Sequence, residues 1–193
     1  QDALARLYKT GDARHKARAL WAMGKIFDGP RAVQLGTSSS DPQLRIVALR
    51  LARQLEIPLG PMLATFVQDN DVAVRREAAI ALRHYSSEDM PRLGADLAVQ
   101  QDGKDRWYLE ALGIAAGLHV DACFSEWLEL VGDDWNTPAG RDIIWRSRAK
   151  AAPAYLARIL LDPATPKDQH EHYLRAFDFH SGPEKEKALK TLL

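Results

Sequence analysis

Apolar positions along this chain follow the spacing of an α-helix and recur about every 30 residues. Four segments open alike: Asp12-Ala-Arg-His-Lys16, Asp41-Pro-Gln-Leu-Arg45, Asp71-Val-Ala-Val-Arg75 and Asp102-Gly-Lys-Asp-Arg106. Each is an acid, three residues, then a base. Small or apolar residues then stand three, six, seven and ten positions beyond the base. They are Ala19, Ala22, Met23 and Ile26; Ala48, Leu51, Ala52 and Leu55; Ala78, Ala81, Leu82 and Tyr85; Leu109, Leu112, Gly113 and Ala116. This spacing places each set on one helical face, and its small residues let neighbouring helices approach closely. The acid stands where the chain enters the helix, where its carboxylate can accept from the free N–H groups of the first turn. The base is placed to pair with the acid of an adjacent repeat, as a ladder.

Shorter amphipathic stretches fall between these helices, over 29–36, 60–67, 89–97 and 121–132, three of them with Pro near the start. No stretch alternates with period two, which argues against strands. Beyond residue 120 the pattern loosens. Residues 133–140 read as a loop, and helices are expected over 141–150, from Ala152 to before Asp162, over 168–179 and from Glu184 onward. A helix pair of this size cannot bury its own apolar face and relies on its neighbours. The expected fold is therefore all-α: a right-handed α-solenoid of HEAT-like helical hairpins. It forms one domain over 1–193, of about six pairs, regular over 1–120 and degenerate over 121–193. The chain opens already in helical pattern and without Met, as a piece of a longer protein would.

Solenoids bind along the surface built from the second helix of each pair. On the long helices, the positions opposite the core hold Trp21, Arg50, Arg53, Arg76, Arg83 and Trp107. Four arginines between two tryptophans suit an acidic or phosphate-bearing partner, with the aromatic rings as anchors. A solvated arginine face needs no partner, because Arg is a good helix former.

Charge narrows the choice. Lys+Arg and Asp+Glu both total 26, whereas a dedicated nucleic-acid binder needs a basic excess or face. No apolar run reaches the roughly 20 residues that cross a bilayer. The single cysteine, Cys123, excludes an internal disulfide and reads as a small buried hydrophobe in a helix. His170 and His172 are two apart, so a helix points them to different sides, and no His-Glu-x-x-His, phosphate loop or nucleophile elbow occurs. No catalytic residue, metal site or cofactor is predicted.

Two stretches carry a more specific likeness: Gly103-Lys-Asp-Arg-Trp-Tyr-Leu-Glu-Ala-Leu-Gly-Ile114, and Asp142-Ile-Ile-Trp-Arg-Ser-Arg148 with Tyr173-Leu-Arg-Ala-Phe-Asp-Phe179. Over about residues 40–193 the chain resembles the HEAT-repeat segment of planctomycete-type haem-binding, membrane-bound dehydrogenase-like proteins. The resemblance implies a module between a β-propeller and a cytochrome c domain in an exported, periplasmic or cell-surface protein. This chain has no Cys-x-x-Cys-His, so no haem site or catalytic residue carries over. The leading expectation is a non-catalytic spacer or docking module whose partners are proteins or flanking domains of the same chain. The alternatives are a free-standing adaptor binding a protein or peptide on the concave face, and an enzyme of the HEAT-like DNA glycosylase type.

Overall fold

The computed structural model describes residues 2–193. Among them the regular elements are thirteen α-helices and four short 3-10 segments, with no strand. The protein is all-α. It divides into two compact units that meet in sequence at Ser87 and Glu88.

The first unit holds α1 (Asp2–Thr10), α2 (Ala13–Ile26), α3 (Gly29–Thr37), α4 (Pro42–Gln54), α5 (Gly60–Phe66) and α6 (Val72–Leu82). The three long helices begin on the acids the repeat singled out. Asp12 accepts from the His15 N–H, Asp41 from Gln43, and Asp71 from Ala73 and Val74. Each such cap contributes about 1 kcal/mol. Helix α2 packs on α1, α3 and α4; α4 packs on α2, α3 and α6; α6 packs on α5. The faces turned inward carry Ala19, Ala48, Leu51, Ala52, Ala78, Ala81 and Leu82, all buried. Ile26 departs from the expected core face. It ends α2 and is 67% exposed.

Small residues set the helix separations. A Cβ on Gly36 of α3 would lie 2.6 Å from the Leu20 side chain and 2.8 Å from the Ala48 Cβ. Helix α3 therefore seats directly on α2 and α4 only because this position has no side chain.

The second unit holds α7 (Met90–Val99), α8 (Arg106–Ala116), α9 (Val120–Val131), α10 (Pro138–Arg146), α11 (Ala152–Leu161), α12 (His170–Ala176) and α13 (Pro183–Lys190). Helices α7, α8 and α9 pack on one another, α10 on α8, α11 and α12, and α11 on α12 and α13. The core gathers Phe124, Trp127, Trp135, Ile144, Leu156, Tyr173 and Phe177. Tyr155 sets its ring edge-on to Phe124 and Trp135, with centroids 5.7 and 5.1 Å apart.

Three expected boundaries differ in the structure. The cap of α8 is Asp105, not Asp102, and it accepts from the Tyr108 N–H. Asp102 instead accepts from the Lys104 N–H in a tight turn around Gly103, whose φ is +76°. The turn consumes three residues, so the buried face of α8 shifts to Tyr108, Leu109, Ala111 and Ala115. Helix α10 starts at Pro138 rather than Arg141 and ends at Arg146 rather than Lys150. Thr137 caps it through the Gly140 N–H, Pro138 suits its first turn, and Ser147 is extended.

Candidate functional site

Two bases of the repeat, Arg45 and Arg75, act on loops. Arg45 follows its cap Asp41 by four residues. Its guanidinium donates to the carbonyls of Ser39 and Ser40 before its own helix, and to both Asp69 oxygens, 2.7 and 2.8 Å away, before the next long helix. Arg75, four beyond Asp71, donates to the carbonyls of Asp69 and Asn70. Arg141, four beyond Thr137, donates to the Asn136 side chain before its helix and to Asp162 and Thr165 after it. The ladder partner is thus a loop acid, Asp69 or Asp162, and not the capping acid that the spacing suggested. The loop acid Asp69 lies 2.7 Å from the Arg45 guanidinium, while the capping carboxylates of Asp41 and Asp71 turn to the first-turn N–H groups of their own helices. The sequence pattern hid the third copy because Thr137 replaces the acid.

The predicted arginine stripe lies partly together. Arg50 and Arg53 of α4 both reach Glu77 of α6, at 2.6 and 3.6 Å. Glu77 is 5% exposed and is the only buried carboxylate among the described residues. Its hydrogen bond pushes the Arg50 pKa up, against the opposing effect of burial. Sequence reasoning passed over Glu77. The available signal was an acid on the Ala-rich face of α6, one repeat beyond Arg50. This carboxylate offsets one of the four positive charges of the stripe.

Arg76 is half-buried in α6. Arg83 caps the C-terminus of α6, is exposed, and has no carboxylate in ion-pair range among the described residues. Trp21 of α2 is 37% exposed. It stands nine residues past its cap, as Arg50 does past Asp41. Arg50 and Arg53 also line an open groove of about 850 Å³ with His84, Tyr85, Ile57 and Pro58. Helix α4 turns into this groove through Glu56, a non-glycine residue at φ 56°.

Trp107 belongs to the second unit and does not match Trp21 in register. With α8 capped at Asp105, it falls in the first turn, where it is 71% exposed. Counted from Asp105, the positions equivalent to the stripe are Glu110 and Ile114 of α8 and its C-cap Gly117.

No family model matches this chain, no curated protein is similar to it, and no solved structure matches its fold.

The stretches that carried the family likeness meet inside the second unit. Arg146 pairs with Glu110 at 2.9 Å, and its guanidinium lies where a Cβ on Gly113 would be. Trp145 stacks on His172, with centroids 4.5 Å apart and planes within 17°. These residues hold helices together. Among the described residues, no three His, Cys, Asp or Glu side chains cluster closely enough to hold a metal ion, and no helix is long and apolar enough to cross a membrane. Cys123 is buried, and burial raises its thiol pKa to about 11.

Proposed function

We propose that this chain is a right-handed α-solenoid of HEAT-type helix pairs whose role is to scaffold and dock rather than to catalyse. The observation that carries the reading is the recurrent arginine four residues beyond a helix cap, clamping loops at Arg45, Arg75 and Arg141. A device repeated at successive helix starts, with helices packed mainly on sequence neighbours, is how repeat proteins couple one unit to the next. Small-angle scattering tests the architecture. A ball of this length has a radius of gyration of about 16 Å. A clearly larger value supports the solenoid, and a value at or below that figure overturns it.

Within that reading, the chain serves as a spacer or docking module of a larger extracytoplasmic haem-containing protein, the role implied by the resemblance of residues 103–114 and 142–148. Reading the gene to both sides tests this role. A propeller-like stretch upstream and a Cys-x-x-Cys-His downstream support it. A start codon just before Gln1 and a stop just after Leu193 overturn it.

A second reading is favoured by the first unit alone: an adaptor for an acidic peptide at Trp21, Arg50, Arg53 and Arg83. Its support is the uncommitted, exposed Arg83 beside a groove walled by Arg50, Arg53 and His84. Anisotropy of a labelled Glu-rich peptide, with and without the Arg50→Glu/Arg83→Glu pair, tests it. Salt-sensitive binding lost in the double variant supports the adaptor. Nothing favours the glycosylase-type alternative: the one buried carboxylate among the described residues, Glu77, is held by two arginines.

A further inference from the structure

A second cavity lies wholly within the second unit, between α7, α8, α9 and α10. Its walls are Leu109, Leu112, Val120, Phe124, Trp127 and Ile143, and its volume is about 120 Å³. An apolar cavity of roughly 150 Å³ stays dry and accepts benzene. This one is smaller and half-open to solvent, and has room for a single small ring or a short alkyl chain. The sulfur-bearing side chain of Cys123 completes the wall. With a pKa of about 11 the thiol is neutral there, and behaves as another apolar group.

The cavity has a polar, cationic side formed by Arg146, Ser147 and Arg148. Arg146 gives its Nε–H to Glu110 at 2.9 Å. Arg148 has no carboxylate within ion-pair range among the described residues. One of its nitrogens donates to the carbonyls of Trp145, Arg146 and Ser147, and its guanidinium lies 4.3 Å from the Phe179 ring centre. The other nitrogens, Nε and Nη2, make no hydrogen bond among the described residues. Two guanidiniums thus stand beside an apolar hole, and the one carboxylate there, Glu110, is bonded to Arg146 alone. A half-buried cation gains most from an anion that brings two acceptor oxygens in one plane.

We propose that this cavity binds a small apolar monocarboxylate, with its ring or alkyl tail among Leu112, Phe124 and Trp127 and its carboxylate on the free edge of Arg148. The tail accounts for the apolar volume, and the carboxylate restores the missing charge at Arg148. A neutral molecule of the same shape satisfies only the first.

Hexanoate and hexanol are the probes, read by Trp fluorescence and by the rate at which Cys123, the only thiol in the chain, reacts with a small disulfide reagent. Hexanoate bound at least about 10-fold more tightly than hexanol is expected, as one charge-assisted hydrogen-bonded pair provides. Hexanoate should also slow Cys123 modification in the unaltered protein. Arg148→Met should remove the preference for the acid. Ala116→Leu, which narrows the cavity, should weaken both probes while circular dichroism stays unchanged. The proposal is overturned if neither probe protects Cys123 up to about 10 mM, the range of the weakest specific binding. Equal binding of acid and alcohol overturns it as well. Should Arg148→Met fail to fold, the acid-to-alcohol ratio and thiol protection in the unaltered protein decide alone.

Discussion

Arg141 reaches Asp162 across 21 residues of sequence, at 2.6 Å, in the way that Arg45 reaches Asp69 at 2.7 Å. Both arginines stand four residues beyond a helix cap. Both also hold the loop in front of their own helix. The pairs are well shielded, with side-chain exposures of 13% and 24% in one and 16% and 9% in the other. One arginine thus fixes the entry to its helix and the following loop at once. This relation recurs in both units, although their sequences look unlike at these points.

Removing one of these arginines should therefore cost far more than removing a surface charge. Arg45→Ala leaves the Asp69 carboxylate with only the Asp71 N–H and takes the guanidinium from two carbonyls, and should destabilise the protein by about 3 kcal/mol. Arg92→Ala breaks an exposed pair four residues apart on α7 and should cost no more than about 0.5 kcal/mol. Urea unfolding of the two variants checks the contrast. Equal effects would show that Arg45 is not a clamp.

Glu77 sets both stability and surface charge. Glu77→Gln keeps the shape but removes the charge that holds Arg50 and Arg53. Melting temperature should fall, because a charge-assisted pair contributes about 1.5–3 kcal/mol. If the first unit docks acidic peptides, the same variant should bind them more tightly, since two guanidiniums are released. Peptide anisotropy at low and moderate salt reads both the gain and its screening.

Gly36→Ala should destabilise by about 1–3 kcal/mol, the usual cost of forcing volume into a packed site. The added methyl meets Leu20, the Ala48 Cβ and the Leu44 carbonyl, the last at 3.0 Å. The carbonyl belongs to α4 and cannot swing aside as a side chain would. Gly117→Ala meets nothing within 4 Å, but it sits at φ +44°, so any loss there comes from the backbone alone. Thermal melts of both variants separate packing from conformation.

Acidification should weaken the fold partly through His180. Burial lowers its pKa, and nearby Arg148 and Lys185 lower it further. The unfolded chain then takes up a proton near pH 6.5 while the folded chain resists, so stability falls as pH drops through that value. Asp142, whose carboxyl burial pushes upward, acts in the opposite direction, because the folded chain holds its proton more tightly. His180→Gln should therefore flatten the loss of melting temperature between about pH 7.5 and 5.5. An unchanged slope would assign the loss to other groups.

Helical periodicity made the class and most of the elements legible. Asp12, Asp41 and Asp71 cap helices where their spacing put them, because a cap is decided within one turn of chain. The apolar stretches over 29–36, 60–67, 89–97 and 121–132 became α3, α5, α7 and α9 for the same local reason. The failures were local conflicts that looked alike in one dimension. Asp102 and Asp105 both precede Arg106, and only the turn at Gly103 makes the later one the cap. That choice moved Trp107 out of register with Trp21.

Sequence by itself determined that the chain is helical, where α2, α4 and α6 start, and that Cys123 is a small buried residue of a helix. Those outcomes rest on interactions within a few residues or on the hydrophobicity of a face. Only the tertiary structure decided which charges are spent. Arg45 and Arg141 close on loop acids, Arg50 and Arg53 close on Glu77, and Arg148 is left beside an apolar cavity without a carboxylate. Ion pairing depends on distances between residues 20 to 40 positions apart, and linear spacing sets no such distance until the helices have packed.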